Sequence, residues 1–125
     1  MTILIMQEDI EAWIDQAEED LAIAKYNIDG NFYDDVCFHA QQCAEKALKA
    51  VYIKKFKELR KIHDVQLLAQ KVEAPQEIID IGDILNPYYI VSRYPVSEES
   101  KLGKEDAEDA IKKAEKVLVW AKKSI

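Results

Sequence analysis

Apolar residues return along this chain every three to four positions, the period of an amphipathic helix. The longest such run, from Asn31 to Phe56, contains neither Gly nor Pro. At about 100° per residue, Val36, Ala40, Cys43, Ala44, Ala47 and Val51 share one arc, and His39, Gln42, Lys46 and Lys49 share another. The small side chains of Ala40, Ala44 and Ala47 let a neighbouring backbone come close, which predicts the central helix of a bundle.

The other elements follow from the same periodicity. From about Gln7 to Asp29, Trp13, Ala17, Leu21, Ala24 and Ile28 define the inward stripe of a first helix. Gly30 is placed as its left-handed C-terminal residue, and Asn31 as the cap of the central helix with Asp34 in an approximate capping box. So short a link predicts an antiparallel hairpin. A loop is expected from about Lys57 to Ile62, after which His63 or Asp64 opens a short helix buried through Val65, Leu68, Ala69 and Val72. Pro75 is expected as the first residue of a further helix with Ile78, Ile81 and Leu85 inward, interrupted at Asn86-Pro87. Tyr88 to Val91 has the composition of a strand, but no second strand candidate exists to pair with it, so it is assigned as a helical continuation. Residues 92–103 lack periodicity and carry Pro95, Ser97, Ser100 and Gly103. From Lys104 to about Ser124, Ala107, Ala110, Ile111, Ala114, Val117, Leu118 and Ala121 form a last stripe, with acids leading the helix and Lys122 and Lys123 closing it. The expectation is an all-α, up-and-down bundle of four to five helices, one domain over residues 1–125.

Composition narrows the class. With 49% hydrophobic and 33% charged residues the chain has the balance of a soluble globule. MTILIM lacks the basic start and long apolar run of a secretory signal, and no window approaches the roughly 18 apolar residues of a membrane span. Cys37 and Cys43 lie roughly 9 Å apart along one helix at about 1.5 Å per residue, too far to pair within it. Two unbridged thiols favour a reducing, cytoplasmic setting. The net charge of −7 is unevenly distributed. Residues 1–35 hold ten acids against Lys25, whereas residues 45–61 hold six Lys and Arg60 against Glu45 and Glu58. The basic segment is either a solvated helix end or part of an anion site.

Little in the residues dictates a reaction. Gly30, Gly82 and Gly103 are isolated, so no phosphate loop is present. His39 and Cys43, four apart on a helix, lack the further ligands that a metal needs, and no metal site or cofactor is assigned. The carboxylate pairs Asp34–Asp35 and Asp80–Asp83 are explained by a helix start and a solvated face. What remains is a set of donors and rings suited to nucleotide phosphate and base: His39, Gln42, Lys46, Lys49, Arg60, His63, Tyr89, Arg93 and Tyr94.

Four segments, FYDDVCFHAQQCAEKALKA, IHDVQLL, YYIVSRYP and EDAEDAIKKAEKVLVWAK, resemble in order and spacing the HEPN (higher eukaryote and prokaryote nucleotide-binding) domain family over nearly the whole chain. The resemblance implies a four- or five-helix bundle that is often dimeric, is often encoded beside a minimal nucleotidyltransferase, and binds nucleotide. Some relatives are metal-independent ribonuclease toxins with an Arg followed four to six residues later by His. That motif is not present here: Arg60 precedes His63 by three positions, and Arg93 has no His after it. No catalytic residue is therefore assigned. The expected function is a nucleotide- or RNA-binding module, homodimeric and paired with a nucleotidyltransferase in a toxin–antitoxin-like system. The alternatives are a ribonuclease using His63 with Arg60 or Arg93, and a structural bundle. Val119, Trp120, Tyr52 and Phe56 are expected to leave apolar surface for the dimer.

Overall fold

A computed structural model describes the backbone of residues 3–93 and 101–125, with side chains from residue 6 onward. Its helices are α1 (Ile3–Ile28), α2 (Tyr33–Phe56), α3 (Val65–Lys71), α4 (Gln76–Leu85), α5 (Tyr88–Val91) and α6 (Lys104–Ser124), and the described residues contain no strand. Part of the irregular segment after α5, including Tyr94, Pro95, Ser97 and Ser100, lies outside the described residues.

The long helix α2 occupies the centre and packs on α1, α6 and the α3–α5 segment. Direction follows from its side-chain contacts: Lys49 meets Trp13, and Lys46 meets Asp20, so α1 and α2 are antiparallel. Lys122 with Glu18 and Lys25 with Glu115 make α1 antiparallel to α6 as well. Leu102 N–H donates to Asp34 Oδ1 at 3.3 Å, setting the start of α6 beside the start of α2. The segment α3 to α5 thus carries the chain back so that α6 runs parallel to α2.

Alanines make the close approach possible. Ala17 and Ala24 of α1, Ala40, Ala44 and Ala47 of α2, and Ala107, Ala110, Ala114 and Ala121 of α6 are wholly buried. Leu48, Leu68, Leu85, Val36, Val65 and Val117 fill the space between them.

Several local expectations need correction. α1 begins at Ile3 rather than near Gln7, and its first inward positions are Ile10 and Ile14, with Trp13 only half-buried. The left-handed residue of the α1–α2 link is Asn31 at φ 65°, and no glycine has a positive φ. At Gly30 a Cβ would lie 2.8 Å from the exposed Phe32 ring, which would have to turn aside. Asn31 does not cap α2. Its Oδ1 accepts from Tyr33 O–H at 2.8 Å, while Phe32 occupies the cap position. Of the two residues expected to open α3, Asp64 is its cap, accepting from Leu67 N–H at 3.0 Å. Pro75 stands at the cap of α4, one position before its first helical residue. Tyr52 is buried, with its ring 4.6 Å from that of Phe56, so it leaves no spare surface.

Gly82 solves a packing problem between α3 and α4. A Cβ there would come within 2.7 Å of the Gln66 backbone, so only hydrogen fits. At the far end of α4, Asn86 accepts from Val65 N–H at 2.7 Å and donates to Asp64 Oδ1 at 2.6 Å, joining the end of one helix to the start of the other.

Candidate functional site

The polar residues of α2 are organised by two buried carboxylates. Asp20, on the inward side of α1 and 6% exposed, accepts from His39 Nδ1 at 2.8 Å through one oxygen and from Lys46 Nζ at 2.7 Å through the other. Glu45, 3% exposed, accepts from Gln41 Nε2 at 3.3 Å, Lys49 Nζ at 3.2 Å and His63 Nδ1 at 3.3 Å. Gln42 donates to Gln41 Oε1 at 2.8 Å and extends this network by one link. The Lys49 ammonium also lies 5.0 Å from the Trp13 ring centroid, so its charge is met by a carboxylate and a ring face.

His39, Gln42, Lys46 and Lys49 therefore do not form an open cationic stripe. Lys49 is buried, and Lys46 is already bound to Asp20, so a phosphate reaching either would have to displace a carboxylate. Among the described residues every buried side-chain nitrogen or oxygen has a partner. Such fully satisfied networks fix register more than they add net stability, because desolvation offsets most of the Coulomb gain.

A different group faces outward. The His63 ring stacks on Tyr89 of α5 at 6.1 Å between centroids and 17° between planes. Past the end of α5, the Arg93 guanidinium lies 5.5 Å from the Tyr89 ring centre and 5.4 Å from that of Phe38. Phe38 in turn touches His39 edge-on at 5.3 Å. The exposed imidazole of His63 is anchored from within by Glu45, and the exposed Arg93 is held over two rings. This is a positioned cation and imidazole on an aromatic base, the components that recognise a phosphate and a nucleobase. Arg60 stands apart from this cluster: its Nε donates to Glu58 at 3.2 Å, and the same oxygen accepts from Tyr52.

Of the residues singled out in the sequence, the fold brings together His63, Tyr89 and Arg93, with His39 at one remove through Phe38. Lys46 and Lys49 are instead held on the buried carboxylates Asp20 and Glu45, which also bind His39 and His63 from the inner side. Asp20, Gln41, Glu45 and Phe38 were missed. The signal for Asp20 was present, since it falls in the series 13, 17, 20, 24 among apolar partners; Glu45 likewise sits four residues after Gln41 and four before Lys49.

The cysteines take no part in this surface. Cys37 and Cys43 are wholly buried, and burial, reinforced by nearby acids, pushes each thiol from its ordinary 9.0 up to about 12. Among the described residues no group of three or more His, Cys, Asp or Glu is placed to hold a metal ion, and no helix is long and apolar enough to cross a membrane.

A compact all-α bundle wrapped around one buried helix, carrying carboxylate-centred networks inside and a cation–aromatic cluster outside, is the class of protein defined here. The HEPN domain family model matches residues 10–125, and the chain belongs to that family. It is 33% identical over 123 aligned positions, covering 85% of this chain and 81% of the other, to a protein of Methanocaldococcus jannaschii named "Putative toxin MJ1304". Among solved structures, TT1696 of Thermus thermophilus superposes with a TM-score of 0.84 at 26% identity, covering 93% of this chain and 98% of that one. ST0689, described as an archaeal HEPN homologue, gives 0.78 at 32% identity over 90% and 94% of the two chains. The HEPN domain protein tm0613 of Thermotoga maritima gives 0.73 at 27% identity over 90% and 95%.

Proposed function

We propose that this HEPN module binds a nucleotide or RNA phosphate at the His63–Tyr89–Arg93 surface. In this reading it acts as a homodimer beside a separate minimal nucleotidyltransferase chain, the two forming a toxin–antitoxin-like pair in the cytoplasm. The observation that carries the reading is the exposed His63 imidazole and Arg93 guanidinium, both held over the Tyr89 ring, a cation and a planar ring positioned together at one surface for a phosphate and its base. The toxin in the name of the Methanocaldococcus relative supports the second half. Apolar side chains left exposed at Phe56, Leu59 and Ile90 offer area for a second copy. Calorimetric titration of ATP and GTP, with and without the candidate nucleotidyltransferase, tests the binding. Tyr89→Ala and Arg93→Ala should each weaken it by about 1 kcal/mol or more, and added salt should weaken the wild type. Equal affinity in all three proteins would remove this surface from consideration, and a monomer by sedimentation at micromolar concentration would remove the dimer.

The ribonuclease reading is favoured by one separate observation. Glu45 binds Nδ1 of His63 from the buried side and leaves most of the ring exposed, the arrangement of an oriented general acid or base, with Arg93 near enough to meet a phosphate across Tyr89. His63→Ala should then abolish RNA cleavage by the purified protein while its circular dichroism stays helical. Undiminished cleavage in that variant would dismiss the role.

A further inference from the structure

Helix α6 carries a second stripe beside its buried alanines. Lys112, Glu115, Lys116, Val119, Trp120 and Lys123 follow one another at helical spacing, and with Pro75 and Ile78 at the start of α4 they line an open groove of about 580 Å3. Its floor is apolar: Val119 is 52% exposed, and Trp120 is half-buried against the core. Its rim is basic. Glu77 is neutralised by Lys116 at 2.9 Å and Glu115 by Lys25 at 2.7 Å, whereas Lys112 and Lys123 have no side-chain partner among the described residues.

We propose that this groove docks an acidic amphipathic helix of a partner protein, apolar side chains on Val119 and Trp120 and carboxylates on Lys112 and Lys123. The dimensions suit a helix: eleven residues of α6 separate the two lysines, roughly 16 Å at about 1.5 Å per residue, or some three turns of a partner lying alongside. The charges point away from a second copy of this chain. A two-fold axis between Val119 and Trp120 sets Lys123 of one copy against the neutralised Lys116–Glu77 pair of the other, and the groove's carboxylates, Glu77 and Glu115, are both already paired, so a second copy brings no spare carboxylate to Lys112 or Lys123. None of the groove residues belongs to the Tyr89 cluster, so the two surfaces can be occupied together.

The test uses a fluorescein-labelled, helix-stapled peptide of about four turns, with Leu at positions facing Val119 and Trp120 and Glu at positions facing the lysines. Fluorescence anisotropy should show saturable binding to the wild-type chain, weakened about tenfold by the pair Lys112→Glu, Lys123→Glu and similarly by Val119→Asp. All of these positions are at the surface, so the variants should keep the wild-type circular dichroism; binding lost without that spectrum changing is the supporting result. A peptide with Lys in place of Glu should not bind. Equal binding of the two peptides, or no effect of the lysine reversal, overturns the proposal. So does a sedimentation result in which Val119→Asp alone converts a dimer to monomer, which would make a second copy the occupant. A requirement of the same lysines for oligouridine binding but not for the peptide would make the groove a nucleic-acid site and also overturn it.

Discussion

Asp20 is the residue whose removal should be felt most among the polar ones. It is almost fully buried, yet His39 and Lys46 both depend on it, and each keeps only about a quarter of its side chain in water. Asp20→Ala strands an ammonium and an imidazole between α1 and α2, and we expect a loss of about 2–3 kcal/mol, read from urea unfolding at neutral pH. A loss below 0.5 kcal/mol, the range of ordinary surface changes, would show that water replaces the carboxylate without cost. The same geometry explains why the polar stripe of α2 was legible and its role was not. Spacing places His39, Gln42, Lys46 and Lys49 on one arc, but only the packing of α1 decides whether that arc meets solvent or an acid. In the sequence Asp20 and Glu45 enter only as two acids in a chain that is a third charged. They are instead the buried acceptors around which the donors turn.

Among the elements, α3 and α4 meet with the Gly82 Cα against backbone. Their contact leaves no room at Gly82, where the opposing atoms belong to backbone and cannot rotate away. Gly82→Ala should therefore destabilise the protein by about 1–3 kcal/mol despite its better helix propensity, and the midpoint of thermal unfolding should fall. A stabilised variant would mean that the two helices can separate freely. Helix positions were readable because every long element repeats its apolar residues at the 3.6 period; the start of α6 at Lys104 and the break at Asn86-Pro87 follow directly. Caps were harder to read. Asn31 and Asp34 have the spacing of a capping box, but Tyr33 and Leu102 claim their side-chain oxygens, a competition set by tertiary contacts. The cluster around Tyr89 was legible only as parts, since residues 38, 63, 89 and 93 share no local pattern and are joined by the return of α5 onto α2.

At the scale of the whole molecule, two buried thiols and the half-buried phenol of Tyr88 should weaken the fold at alkaline pH. Cys37 and Cys43 are each raised from 9.0 to about 12, and Tyr88 is raised from 10.0 to about 12, chiefly by burial. Between these values the unfolded chain releases protons that the folded chain keeps, so the native state holds more protons and its stability declines with rising pH. The contribution is intact below pH 9 and should be lost progressively from about pH 9 to 12. Urea midpoints measured across that window should fall, and Cys37→Ala, Cys43→Ala should flatten the fall at the expense of core packing. A midpoint constant to pH 11 in the wild type would contradict the burial of these thiols. Both thiols should also resist iodoacetamide at pH 8 in the folded protein and react on unfolding.

The tie at Asn86 has a kinetic consequence. One side chain joins the end of α4 to the first residues of α3, and the Gly82 contact with Val65 and Gln66 holds the same end of α3 against α4, so the opening of one helix should carry the other with it. Amide hydrogens from residue 68 to residue 86 should thus exchange with deuterium through a single shared opening. Asn86→Ala should divide that unit in two, with the amides of α3 becoming faster than those of α4. The packing of α1, α2 and α6 around their alanines lies outside this opening, so their slowest amides should keep the same rates in wild type and variant.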